Sequence, residues 1–190
     1  MLHHLNLFFN EALTPRTKTD YIILLHSGVQ SRHTAQDIHQ WHKNKGWAGI
    51  GYHYFISKEG VIFGCRQRNT IGAHTKGYNQ NSIGVCFEGD FNKEAMTDAQ
   101  CSGEVISFLF FLGQAYPDSK FVFRDELKDR PIPAIEGFRK DVLWKQYDVF
   151  SDAFYSERGR VFGEEWAQTF YDWWDNQLID FDLYEPDEEI

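Results

Sequence analysis

The sequence predicts an α/β fold in which a mixed β-sheet is covered by helices on both faces. Short apolar segments of strand length alternate along the chain with two segments of helical periodicity. One strand segment, Ser82–Phe87, is apolar at nearly every position, which is typical of a central strand buried on both faces. The 190 residues are enough for one domain with its own core and an appendage.

The first strand and the first helix are predicted from neighbouring segments. Tyr21–Leu25 is rich in Ile and Leu and has the length of a buried strand. The stretch TAQDIHQWHKNKGW follows it and predicts a helix. Thr34 and Asp37 match a capping box at the start of this helix, and Gly46 is a typical residue to end it.

Both predicted helices are expected to pack one apolar face against the sheet. In the first helix, Ala35, Ile38 and Trp41 recur at helical spacing and should face the core. The second helix is predicted at residues 97–114. Its wide apolar face consists of Ala99, Val105, Ile106, Leu109, Phe110 and Leu112.

The remaining strands come from a hairpin and from one short segment near the middle of the chain. Tyr52–Ile56 and Val61–Gly64 predict two antiparallel strands with a turn at Gly60. Lys120–Phe123 predicts a short last strand.

Charge divides the chain into two parts. The net charge is −9, but residues 134–190 carry five Lys/Arg and fifteen Asp/Glu, so the front part is nearly neutral. We therefore predict a main domain at residues 1–145 and an acidic C-terminal helical extension at residues 146–190. Neither part has the concentrated positive stripe that a nucleic-acid groove requires, so no nucleic-acid partner is expected.

The extension contains the aromatic-rich segment GEEWAQTFYDWWDNQL. Its apolar residues fall on one helical stripe formed by Trp166, Phe170, Trp173 or Trp174, and Leu178. Such a stripe most often docks on its parent domain, whereas an exposed stripe binds a protein partner.

The sequence also limits the expected location of the protein. No segment approaches the ~18 continuous apolar residues of a membrane span. The N-terminus has no Lys or Arg before its short apolar patch, so we expect no signal peptide and a cytoplasmic location after synthesis. The widely spaced Cys65, Cys86 and Cys101 are expected to be reduced thiols.

Two long strings within residues 16–100 point to a family. DIHQWHKNKGWAGIGYHYFISKEGVIFGCR and IGAHTKGYNQNSIGVCFEGDF resemble, in order and spacing, the central blocks of zinc-dependent N-acetylmuramoyl-L-alanine amidases. This family includes T7-type phage lysozymes and peptidoglycan recognition proteins. The resemblance implies the fold of that family and a peptidoglycan fragment, or muropeptide, as the ligand. It also fits a phage-encoded protein released by a route other than a signal peptide.

The resemblance implies that the zinc site is altered. In the family, two His and one Cys or Asp hold zinc, and a water takes the fourth position. The corresponding positions are Leu25, Phe123, and Pro131 or Ile132. None of these side chains has a donor atom, so the resemblance predicts a site refilled as core, with no zinc cofactor.

Other residues of the family's site are retained. Tyr52 matches the family's assisting tyrosine, and His74 and Asn79 match residues that line its substrate groove. His26 matches the non-ligand position next to the first zinc ligand. Together with two basic residues, they form the predicted ligand-binding set: His26, Tyr52, His74, Lys76, Asn79 and Arg130.

Three further histidines are expected to have structural roles. Family context places His39 and His42 on the surface of the first helix. His53 follows Tyr52 on a strand, so the two side chains point to opposite faces. We expect His53 to be a hydrogen-bonded histidine of the core or of the shell around the site.

Three functions are left open by the sequence. The first is a zinc-free pseudo-amidase that binds a muropeptide without cutting it. The second is an active amidase with a relocated zinc held by residues such as His26, His74 or Asp125. The third is a protein-interaction or inhibitor module that uses the acidic extension.

Overall fold

A computed structural model describes residues 2–124 and residue 127 of the chain. The predicted extension at residues 146–190, with its possible partner surface, and the positions Arg130, Pro131 and Ile132 lie outside the described residues. The helices and strands of the described part are β1 (Leu2–His4), β2 (Tyr21–His26), α1 (Ala35–Asn44), β3 (Tyr54–Ile56), β4 (Ile62–Gly64), a 3₁₀ turn (Asn79–Asn81), β5 (Ser82–Phe87), α2 (Gly103–Gln114) and β6 (Lys120–Phe123).

The strands form one mixed sheet in the order β1-β4-β3-β5-β2-β6. β3 and β4 are the antiparallel hairpin predicted from the sequence, and the other neighbouring pairs are parallel. All six residues of β5 are buried, and this strand lies between β3 and β2. The prediction of Ser82–Phe87 as a central strand is therefore confirmed.

Each face of the sheet has its own core, and each core includes one helix. On the face that we call the α1 side, Ile23 of β2 packs with Ala35 and Ile38 of α1. On the opposite α2 side, Ile22 packs with Val105 of α2. Because Ile22 and Ile23 are successive strand residues, their side chains project to opposite faces. The predicted architecture, with helices on both faces, is confirmed.

The ends of α1 agree with the sequence, but its buried face differs from the prediction. Thr34 and Asp37 form the capping box, and Gly46 has a φ of +81° just after the helix. Trp41 is 39% exposed, whereas His39 and His42 are each only 7% exposed. The expectations that Trp41 faces the core and that both histidines lie on the surface are wrong.

The physical reason is that α1 buries two polar rings that have backbone partners. Nδ1 of His39 accepts a hydrogen bond from the Ile50 N–H, and Nδ1 of His42 accepts one from the Gly51 N–H, both at 3.1 Å. A buried polar atom with a partner is tolerated, and the two rings fix the segment that leads into β3.

Three smaller features complete the described part. β1 is a three-residue strand at the edge of the sheet, which the sequence analysis did not predict. α2 begins at Gly103, six residues after the predicted start, because residues 97–102 form turns in which the Thr97 hydroxyl caps the Gln100 N–H at 3.1 Å. Cys65 and Cys86 are buried free thiols, and Cys101 is half-buried. Within the described residues, no helix has the length and apolar character needed to cross a membrane.

Candidate functional site

The carboxyl end of β2 carries the position that corresponds to the family's first zinc ligand. Leu25 is 4% exposed and pairs in register with Cys86 of β5. Leu25, Cys86 and Tyr52 belong to the same core cluster on the α1 side. Leu25 therefore fills this part of the sheet with an aliphatic side chain directly beside the retained tyrosine.

Tyr52 and Cys86 share a side-chain hydrogen bond inside this cluster. Burial raises the pKa of the Tyr52 phenol far above its usual value, and burial also raises the pKa of the Cys86 thiol. Both groups are therefore uncharged at physiological pH. A protonated, buried thiol is a poor metal ligand, because the thiolate is the form that coordinates metals.

Arg124, directly after β6, brings a positive charge close to Leu25 and Tyr52. Phe123 pairs with Leu24, and the Arg124 N–H donates to the Leu24 carbonyl at 3.0 Å, so Arg124 follows beside Leu25. Along β6, Phe121 packs on the α2 side and Val122 on the α1 side. Strand alternation therefore directs Phe123 to the α2 side and Arg124 to the α1 side.

Electrostatic interactions agree with this direction of the Arg124 side chain. Its positive charge opposes the upward pKa shifts that burial produces in Tyr52 and Cys86. It also contributes to lowering the pKa of His74. Arg124, which directly follows β6, therefore lies on the Tyr52 face, whereas Phe123, at the predicted second ligand position, is directed to the α2 side.

His42 is a residue of this site that the sequence analysis missed. Its ring lies 5.5 Å from the Tyr52 ring and 4.6 Å from the Trp47 ring, measured between centroids. Burial, with smaller effects from Lys45 and Arg66, lowers the pKa of His42 to about 4. The sequence signal for this was its spacing: His42 lies seven residues after Ala35 and therefore on the same buried face of α1.

His74 lies in the loop at residues 72–79, where its ring is packed between two glycines. A Cβ atom added to Gly84 would come within 2.6 Å of this ring, and one added to Gly72 would overlap it. His74 Nδ1 is 3.1 Å from the Thr75 hydroxyl, and no described group hydrogen-bonds to its buried Nε2. Burial, followed by nearby arginines, lowers the pKa of His74 to about 3, so the ring is neutral at physiological pH.

The other predicted groove residues of this loop differ in exposure. The Asn79 Oδ1 accepts hydrogen bonds from the backbone N–H groups of His74 and Thr75, both at 2.8 Å. Lys76 is exposed to solvent. Asn79 therefore holds the loop that presents both His74 and Lys76.

His26 lies on the other side of the sheet from Tyr52. Its ring stacks on Phe91 with centroids 5.5 Å apart, and Phe91 packs against the α2-side core. Nδ1 of His26 accepts a hydrogen bond from the Phe91 N–H at 3.0 Å and is 3.7 Å from an Asp90 carboxylate oxygen. The structure does not bring His26 to the groove face where we predicted a ligand-binding role for it.

His53 is a hydrogen-bonded core residue, as expected. It is fully buried, and its Nδ1 accepts the Gly84 N–H at 3.0 Å while Nε2 donates to the Thr70 carbonyl at 2.9 Å. Burial lowers the pKa of His53 well below its usual value. The neutral ring joins β3, β5 and the segment after β4.

The residues around Leu25 do not fit a zinc ion. Leu25 offers no donor atom, Cys86 is held as a neutral thiol, and the Arg124 charge repels a second cation. In residues 2–124 and 127, no three His, Cys, Asp or Glu side chains are grouped so that they could hold a metal. The third predicted position, Pro131 or Ile132, and Arg130 lie outside this part.

Comparisons with known proteins agree with the fold described above. Residues 15–103 match the family described as N-acetylmuramoyl-L-alanine amidase. The chain is 38% identical over 87 residues to the endolysin of Enterobacteria phage T3, covering 45% of this chain and 58% of that protein. It is 30% identical over 105 residues to the endolysin of Enterobacteria phage K11, covering 53% and 70%. The chain thus spans less than two thirds of the T3 endolysin.

Two solved structures illustrate the shared fold. The amidase LysC from Clostridium intestinale URNW superposes with a TM-score of 0.62 at 29% identity, over 66% of this chain and 83% of that protein. Peptidoglycan recognition protein LE superposes with a TM-score of 0.57 at 25% identity, over 65% and 82%. The latter was solved with tracheal cytotoxin, a monomeric diaminopimelic acid-type peptidoglycan.

Proposed function

Because this chain belongs to the N-acetylmuramoyl-L-alanine amidase family, we propose that it binds peptidoglycan fragments on the α1 side of its sheet without hydrolysing them. The observation that carries this proposal is the pair Leu25 and Arg124. The resemblance assigns the buried Leu25 to the first zinc-ligand position, and Arg124 follows the strand that pairs with β2 beside it. In this proposal the chain acts as a zinc-free pseudo-amidase.

The chemistry of Arg124 suits binding and not hydrolysis. A guanidinium group has five N–H donors and can form paired hydrogen bonds to a carboxylate, or single ones to an amide carbonyl. Muropeptides offer both kinds of oxygen. Unlike zinc, the group offers no coordination position in which a water could be converted to hydroxide. The site therefore keeps a positive charge for the ligand but loses the source of the nucleophile.

Tyr52 also suits ligand binding better than hydrolysis. Since its phenol remains protonated at physiological pH, it cannot act as a general base toward a water molecule. In its neutral form the hydroxyl can exchange its hydrogen bond to Cys86 for one to a bound ligand. The His42 ring lies against Tyr52 and Trp47, and the Ala73 N–H donates to the carbonyl of Gly51, the residue before Tyr52.

The solved complex of peptidoglycan recognition protein LE supports the ligand class. That protein shares the fold of this chain and was crystallised with a peptidoglycan monomer. The alternative of an active amidase with a relocated metal has less support, because His26 lies on the α2 side and the His74 ring is packed between glycines. Lys76, Asn79 and Arg130 remain proposed ligand contacts or supports.

Calorimetric titration of the full chain with muramyl dipeptide, followed by chromatography of the sample, tests this function. We expect saturable binding and recovery of the intact muramyl dipeptide. Arg124→Gln should weaken binding about tenfold, since hydrogen bonds to a charged group contribute about 1.5–3 kcal/mol. Arg32→Gln is the matched control, because Arg32 is an exposed arginine paired with Glu59. Release of free peptide would reject the proposal in favour of an active amidase.

A further inference from the structure

A second group of polar side chains lies at the opposite face of the sheet. We call it the arginine–tyrosine cluster, and it consists of Arg16, Arg68, Tyr54 and Tyr116. Tyr54 belongs to the α2-side core, and Tyr116 packs against that core. The cluster is therefore separated by the sheet from Tyr52 and the proposed muropeptide site, which belong to the α1 side.

Two guanidinium groups share one aromatic ring in this cluster. The guanidinium carbons of Arg16 and Arg68 lie 6.0 Å and 5.7 Å from the centroid of the Tyr116 ring. Arg16 also interacts electrostatically with the Tyr116 phenol, and Arg68 with the Tyr54 phenol. Each hydroxyl has a proton that it can donate to an acceptor in the adjoining space.

The two arginines of the cluster form no ion pair with a carboxylate within residues 2–124 and 127, although one acid, Asp118, lines the cavity beside Arg16. Lys18, which lies beside them, pairs with Asp20 at 2.8 Å. Arg16 is also fixed in place, because it donates to the Thr70 carbonyl at 2.9 Å and to the Thr19 hydroxyl at 3.1 Å. Two like charges are thus held close together in a defined geometry.

Open space adjoins the cluster on two sides. One cavity of about 360 Å³ is lined by Arg16, Lys18, Asn69 and Tyr116. A second of about 450 Å³ is lined by Tyr54, Arg68 and Asn69. Each volume is many times that of a water molecule, about 30 Å³. Both cavities can therefore hold an anionic group together with part of the molecule that carries it.

We propose that the arginine–tyrosine cluster is a binding site for a phosphoryl group. Two guanidinium charges match a phosphate dianion, and two forked donors with two hydroxyl donors exceed what the two oxygens of one carboxylate can accept. The group can belong to a small phosphate ester or to a phosphodiester polymer. Arg68, Tyr54 and Tyr116 lie on the other face from the proposed muropeptide site, whereas Arg16 also approaches His53 at 3.2 Å, so Arg68 is the residue that tests this site separately.

Titration of the full chain at constant ionic strength tests the site with three probes: inorganic phosphate, glycerol 3-phosphate and poly(glycerol phosphate). Saturable binding is expected, and Arg68→Gln should weaken it at least tenfold. Arg68 is exposed, so this variant is expected to fold. Arg32→Gln serves as the matched control for the loss of one exposed arginine and should leave phosphate binding unchanged.

The results distinguish a small phosphate ester from a phosphodiester polymer, and they distinguish failure of the phosphoryl site from failure of the proposed muropeptide function. Tighter binding of the polymer than of glycerol 3-phosphate, per phosphate, identifies a polymeric ligand, and equal binding identifies a small ester. Muramyl dipeptide binding should be the same in Arg68→Gln and the wild-type chain, whichever probe binds. Absence of saturable binding with all three probes, or equal weakening by Arg32→Gln and Arg68→Gln, would overturn the phosphoryl site.

Discussion

The Leu25–Arg124 position and the loop at residues 72–79 both belong to the α1 side. They differ in how far their residues match those expected from the resemblance to the family. At the first, the resemblance assigns Leu25 to a zinc-ligand position, and the structure places Arg124 beside it. In the second, the His74 and Asn79 positions are retained. The difference follows from what the side chains do: Asn79 and the neighbouring glycines hold backbone and ring in place, so their loss would damage the fold.

This comparison limits what retained residues imply. Leu25 packs in the α1-side core with other apolar residues, so the packing at its position does not depend on a metal. A residue that also satisfies buried backbone groups cannot change as freely. Retention of His74 and Asn79 is therefore weak support for hydrolysis. The residues at the Leu25–Arg124 position carry more weight for the proposed function.

The largest expected effect comes from Gly51→Ala, which tests the structural role of the loop. A Cβ atom at Gly51 would overlap the backbone carbonyl of Ala73, which a small rotation of a side chain cannot relieve. We expect a loss of about 3 kcal/mol or more in the free energy of unfolding, measured by urea titration. Gly103→Ala is the control, since nothing lies within 4 Å of its added Cβ. Equal stability of both variants would contradict the tight packing of the loop.

The next effect is a loss of stability in acid, which tests the neutral histidines of the α1 side. The folded chain lowers the pKa of His42 to about 4 and that of His74 to about 3, whereas an unfolded histidine titrates near 6.5. Below pH 6.5 the unfolded chain binds protons that the folded chain does not, so stability is complete above that pH and falls toward pH 4.

We expect the free energy of unfolding to fall by about 2 kcal/mol between pH 7 and about pH 5.7, since the two rings together contribute at most about 2.8 kcal/mol per pH unit below pH 6.5. Urea titrations at several pH values measure this slope. His42→Gln should make the slope shallower over the same interval. A slope that is identical in the variant and the wild-type chain would show that His42 is not held neutral.

A smaller effect is expected for Asn79→Ala. This variant removes the acceptor of two backbone N–H groups in the loop. The loss should be about 1–2 kcal/mol, the usual range for leaving such donors without a partner. The neighbouring exposed Gln80 provides the control variant Gln80→Ala, with little expected change. If Asn79→Ala instead keeps full stability and loses only muropeptide binding, Asn79 contacts the ligand and does not stabilise the loop.

Most of the described strands and helices were predictable, because their apolar periodicity and turn residues are strong local signals. The capping box of α1, the hairpin turn at Gly60 and the central strand β5 are examples. β1 was missed because a three-residue edge strand has too few residues for a periodic signal. Its pairing with β4 depends on a distant part of the chain.

The site was less predictable, because it depends on single-residue shifts. A one-residue change of position in a strand reverses the face of the side chain, so the sequence did not show that Arg124, and not Phe123, would face Tyr52. Likewise, His42 was assigned to the surface from family context, although its helical spacing from Ala35 and Ile38 favoured the core. Polar residues with backbone partners, such as these rings, cannot be recognised from hydrophobicity alone.

Native mass spectrometry of the full chain, incubated with zinc and muramyl dipeptide, tests the central claim most directly. The measurement reports bound metal, bound ligand and cleaved ligand in the same sample. We predict a complex with one intact muramyl dipeptide and no stoichiometric zinc. A zinc-loaded chain together with the free dipeptide product would contradict the account and identify the protein as a working amidase.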